Sequence, residues 1–275
     1  MNKKLIAKIE SEEPKLKLAV LIDADNISAD VIEGLLTEIA SFGEATVKRI
    51  YGDFTTQASS KWKQCLNRYA IKPVHQFAYT TGKNATDSTL IIDAMDLLYT
   101  ERFDGFCLVS SDSDFTGLAT RIREEGLLVL GFGEKKTPEA FRNACHKFIL
   151  TEILKAVTPQ NSNPVSLSSS TEEKKTSKAA SLVEKSNSIE QTSNKDLPLN
   201  FILEALEKSC DDAGWANLAN FGSFLTKLQP DFDTRIFGFK KLSDLVKQRK
   251  DIFETEERLL KSSSSKILYV RARQK

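Results

Sequence analysis

Two apolar runs, LKLAVLI and FCLVSS, each lead directly into aspartates spaced D-x-D: Asp23 and Asp25 after the first, Asp112 and Asp114 after the second. Unbroken runs of Leu, Val and Ile belong to strands buried on both faces, the kind found in parallel sheets. In an open α/β sheet the carboxyl ends of neighbouring strands border one crevice, where ligands bind. Acidic residues just beyond two such strands would therefore meet. Asp87 joins them by opening the helix DSTLIIDAMDLLYT that leads into the second run. Alone, an aspartate after a strand is a favoured turn or cap residue. Several converging carboxylates are different, because like charges crowd at a cost unless a counter-ion is present. Hard oxygen ligands of this kind suit Mg²⁺ or Mn²⁺.

Around these runs, strands and helices alternate. ATVKRIYGD, IKPVHQFAY and LLVLGFG read as further strands; SADVIEGLLTEIASF, SSKWKQCLNRYA, FTGLATRIREEG and PEAFRNACHKFILTEI read as helices. The pattern predicts an α/β fold, a doubly wound parallel sheet flanked by helices. Asp93 lies six positions beyond Asp87 and is rotated off its face, so Asp93 and Asp96 read as structural partners. Trp62 reads as core.

The net charge is +1, so no global field announces a nucleic-acid partner and any such binding rests on local patches. The four cysteines form no C-x-x-C pair, which suits a reducing cytosol better than a disulfide framework. The N-terminus lacks the apolar core of a signal peptide, and no stretch is apolar enough to span a bilayer. A cytoplasmic protein without a membrane partner is expected. His75 and His146 read as structural, since neither has a catalytic companion.

Residues 156–195 are rich in Ser, Asn, Lys and Glu and nearly free of aromatics, and read as a flexible linker. It divides a unit at 1–155 from a smaller one at 196–275. The latter reads as three helices and a closing β-hairpin, DIFETEERL with KILYVRAR, the pattern of a winged helix-turn-helix. Such a module binds nucleic acid or protein.

At the acidic blocks the sequence also resembles a known family. VLIDADN, KNATDSTLIIDAMDLL and FCLVSSDSDFTGLATRIREEGLLVLGFG are similar, in that order, to the NYN domain, which is related to LabA-like proteins and to PIN-like nucleases. NFILEALEKS, GSFLTKLQPDF and FGFKKLSDLVKQ resemble the LOTUS, or OST-HTH, domain. The resemblance implies a PIN-like fold that holds one or two divalent ions and cleaves RNA. It implies Asp23, Asp87 and Asp112 as metal ligands, Asp114 as a direct or water-mediated ligand, and Asn26 as a group orienting a ligand or scissile phosphate.

Substrate contacts are expected from Lys48 and Arg49 through phosphate and from Tyr51 through base stacking. Lys83 and Asn84 lie in a loop that could approach phosphate, although a solvated loop reads equally well. In the tail, Lys240, Lys241, Lys247 and Arg249 form a candidate RNA-contact surface, weakened nearby by Glu254, Glu256 and Glu257. The leading function is a metal-dependent ribonuclease whose winged helix recruits RNA or a protein partner. The alternative is a non-catalytic RNA-binding or regulatory adaptor of the LabA type. A haloacid-type phosphohydrolase also places D-x-D after a strand, but that chemistry wants a lysine further on, and the NYN-like blocks fit better.

Overall fold

A computed structural model describes residues 15–55, 60–76, 85–155, 197–259 and 266–273. The expected linker and the loop carrying Lys83 and Asn84 lie outside these residues. Strands β1 (Lys17–Asp23), β2 (Glu44–Gly52), β3 (Lys72–His75), β4 (Gly105–Val109), β5 (Leu128–Gly133) and β6 (Lys147–Leu150) form one sheet in the order β3-β2-β1-β4-β5-β6. Every neighbouring pair is parallel. The chain first builds outward from β1 to β3, then returns to the other side of β1 for β4. The crevice between the carboxyl ends of β1 and β4 is therefore the topological switch point.

The period of two along each strand sorts the core into two layers. Leu18, Val20, Ile22, Cys107, Val109, Leu130 and Phe132 face one side. There they meet α1 (Ile32–Ala40), Trp62 of α2 (Ser60–Arg68) and Leu154 of α6 (Thr151–Lys155). Ala19, Leu21, Phe106, Leu108 and Val129 face the other side. They meet α3 (Ala85–Leu98), α4 (Thr116–Glu124) and α5 (Glu139–Ala144). Continuing the alternation, Asp23 belongs with Ala19 and Leu21 on the α3 side, and α3 carries Asp87 in its first turn. Register alone thus brings these two residues to one end of one layer.

One expected element was wrong. The segment PEAFRNACHKFILTEI is not a single helix: it runs α5, then β6, then α6. Cys145 is extended at φ −90° and ψ 156°, which ends α5 and starts the strand. Adjacent residues on a helix point only about 100° apart, whereas on a strand they point to opposite faces. Phe148 and Ile149 are both buried, Phe148 in the α3 layer and Ile149 in the α1 layer, and only a strand lets consecutive side chains do this.

The C-terminal unit contains α7 (Leu199–Ser209), β7 (Ala216–Asn217), α8 (Leu218–Leu228), a 3-10 turn (Thr234–Phe237), α9 (Leu242–Gln248), β8 (Phe253–Leu259) and β9 (Lys266–Ala272). The wing is three-stranded, ordered β7-β9-β8, with the short β7 unanticipated. Helix α8, which follows β7, starts later than expected because the Asn217 side chain accepts from the Ala219 N–H at 2.8 Å and caps it there. Ile202, Leu206, Phe221, Leu225, Leu245, Phe253 and Val270 form its own core. No helix among the described residues is long and apolar enough to cross a membrane.

Candidate metal centre

Asp87, Asp112 and Asp114 each present a carboxylate oxygen, and the three oxygens lie within 4.8 Å of one another. Asp112 follows β4 and caps the 3-10 turn Ser113–Phe115, its Oδ1 accepting from the Asp114 N–H at 2.9 Å. The residue is therefore both a cap and a site residue: one oxygen fixes the loop and the carboxylate still faces its neighbours. Phe115, the last residue of this turn, inserts into the core and anchors it.

Asp23 lies deeper, fully buried at the end of β1. Its Oδ2 accepts from the Asn26 amide at 2.7 Å and from the Ser110 hydroxyl at 2.7 Å, and its Oδ1 from the Asp25 N–H at 3.0 Å. Asn26 and Ser110 thus orient Asp23, which is the first of the neighbouring charges acting on Asp87. Ser110, passed over in the sequence, links the two strands: its hydroxyl donates to Asp23 and accepts from the Asp112 N–H at 3.1 Å. Its only signal was the double serine before the second D-x-D.

The electrostatics are those of crowded anions. Burial first, then Asp23, Asp112, Asp114 and Asp25, push the Asp87 carboxyl up to about 6. Burial also raises Asp23, opposed by its hydrogen bonds. A divalent cation fits this donor set: three hard oxygens converge with a surplus of negative charge.

The crowding makes a prediction for ion-free protein. A carboxyl raised in the folded state costs stability as pH climbs through the window from its ordinary value to the raised one, here from 3.8 to about 6. Screening at a part-exposed site reduces the cost to about 1 kcal/mol. Asp87→Asn should therefore stabilise the protein in EDTA by about that amount at pH 7.5 and by little near pH 4. Urea denaturation at the two pH values measures it; an equal or absent gain would mean that burial and the neighbouring carboxylates do not raise Asp87.

Two expected substrate contacts are corrected. Tyr51 is fully buried, so its ring cannot stack on a base, and its hydroxyl donates to Asp93. Arg49 is ion-paired with the same Asp93. Asp93 is turned away from Asp87 and consumes both groups. Lys48 donates through Nζ to the Tyr69 carbonyl at 2.6 Å. In the tail, Lys240 and Lys241 are exposed before α9, while Lys247 faces Glu257 at 3.2 Å and Arg249 faces Asp251 at 2.8 Å. Arg271 and Arg273, at the end of the chain's last strand, also read from the sequence as RNA contacts, but the stacking of arginines on wing aromatics did not. Arg258 lies over Tyr269 at 4.4 Å, and Arg271 over Trp215 at 4.7 Å.

Comparisons with known proteins agree with this architecture. The NYN domain model matches residues 17–153, and the OST-HTH/LOTUS domain model matches residues 194–264. A solution structure of an uncharacterised Nitrosomonas europaea protein is 54% identical over 34% of this chain and 94% of its own, with a TM-score of 0.30. A Vibrio parahaemolyticus protein of unknown function is 19% identical over 50% of this chain and 94% of its own, with a TM-score of 0.42. A Chromobacterium violaceum protein is 32% identical over 30% of this chain and 86% of its own, at a TM-score of 0.24. No curated protein matches the sequence. The first model covers the parallel-sheet unit and the second most of the C-terminal unit, and the chain is an NYN-domain protein with a C-terminal OST-HTH/LOTUS domain.

Proposed function

We propose that the protein is a divalent-metal-dependent ribonuclease that hydrolyses RNA phosphodiester bonds. The observation that carries this reading is the convergence of Asp87, Asp112 and Asp114 at the switch point between β1 and β4. A purely binding module has little use for a negative cleft facing phosphate. An NYN domain belongs to the PIN-like nucleases, and an OST-HTH/LOTUS domain binds RNA, which supports RNA as the substrate.

In this reading Asp87, Asp112 and Asp114 hold Mg²⁺ or Mn²⁺. When bound, such an ion supplies Lewis acidity, acidifying water and offsetting charge that builds on a phosphate. The residues of the chain do the positioning. Ser110 and Asn26 fix Asp23, whose negative charge stands behind the cluster and strengthens its hold on a cation. The Asp112 cap sets where Asp114 points. Exposed Lys240 and Lys241 and the arginine-aromatic surface of the wing contact the RNA. Lys83 and Asn84, which precede Asp87 in the sequence, remain candidates for phosphate contact. The cytoplasm, with its reducing poise, is the proposed location.

Purified protein should cleave single-stranded or structured RNA with Mn²⁺ or Mg²⁺ and stop in EDTA. RNA binding without any metal-dependent cutting on several substrates would replace this reading with the adaptor one.

A further inference from the structure

We infer that residues 230–236 are a docking element that clamps the OST-HTH domain onto the NYN sheet, so that the two domains move as one body. Four contacts carry this. The Pro230 carbonyl accepts from the Phe148 N–H at 2.9 Å. Phe148 lies on β6, the last strand of the sheet, so the segment caps a donor on the edge. Arg235 reaches both oxygens of Glu38 on α1, at 2.8 and 2.9 Å. Asp231 is ion-paired with Arg142 of α5, and Ile236 packs against the core layer that holds Phe148.

The segment is built for this contact. Asp233 caps the turn that carries Arg235, its Oδ1 accepting the Arg235 N–H at 2.9 Å, and its carboxylate also grips the guanidinium at 2.7 Å. Arg235 is thus pre-aimed before it meets Glu38. The side chains of Glu38 and Asp233 are only 18% and 10% exposed, and two carboxylates so enclosed are tolerable only around a cation. Without Arg235 they would repel and the domains would part. If the ribonuclease reading holds, RNA on the wing then meets the acidic centre at a fixed distance instead of on a free tether.

Small-angle X-ray scattering of the full chain tests the inference, independently of cleavage. The wild type should scatter as one compact particle. Arg235→Glu should enlarge the radius of gyration, with circular dichroism unchanged, and adding Glu38→Arg should restore compactness by returning opposite charges to the two positions. Glu38→Gln, a milder change, should enlarge it in the same sense. A wild type that scatters as independently moving domains, or single variants as compact as the wild type, would overturn the inference.

Discussion

Asp112→Asn should lower the proposed metal-dependent RNA cleavage by about 10³-fold while the protein stays folded. Asparagine keeps the side-chain oxygen that accepts from the Asp114 N–H, so the cap and the turn survive. It loses the charge that Asp112 adds beside Asp87 and Asp114. The predicted pattern is a collapsed cleavage rate with an unchanged or slightly higher melting temperature, because one repelling carboxylate is gone. Asp112→Ala makes the useful contrast. It removes charge and cap together, and loss of the cap should cost about 1 kcal/mol in addition. Cleavage rates and thermal melts of both variants, with and without Mn²⁺, separate the two roles of this side chain. A drop in activity that tracked unfolding would place Asp112 in the fold alone.

Phe148→Ala should destabilise the NYN domain by about 3–5 kcal/mol. The ring is 1% exposed and meets Phe141 edge-on, with centroids 5.8 Å apart and planes at 79°. It also lies directly over Gly131, where an added Cβ would come within 2.4 Å of the ring. The neighbouring strand therefore has no side chain to fill a void there, and the site cannot collapse cheaply. Phe141 in turn packs on Phe115, at 6.4 Å, in the turn that follows Asp112. The loss should thus loosen the acidic loop as well as β6. Urea denaturation of the variant measures the cost; a change below about 1 kcal/mol would mean the layer repacks around the gap.

Phe148 also marks what was hard to read in the sequence. Strands β1 and β4 were legible because their apolar runs are continuous and end in unmistakable acidic pairs. The short KFIL strand was not, because it follows α5 without a glycine or proline to mark the break. Only the edge of β5 and the two-sided core make it a strand. The site divided the same way. Asp87, Asp112 and Asp114 could be found as polar residues at the ends of apolar elements, and the rotation of Asp93 off the Asp87 face followed from helical spacing. Arg49 and Tyr51 could not be placed, since their fate depends on Asp93 reaching across from α3 to β2. The contact between Arg235 and Glu38 joins positions too far apart in sequence for any local pattern to reveal.

The central claim is that the acidic switch point hydrolyses RNA with a divalent ion, and the chemistry of the product ends tests it most directly. A labelled RNA incubated with wild-type protein and Mn²⁺ should yield 5′-phosphate and 3′-hydroxyl ends, and none in EDTA. Ends carrying 2′,3′-cyclic phosphate, or cleavage that persists in EDTA, would contradict it.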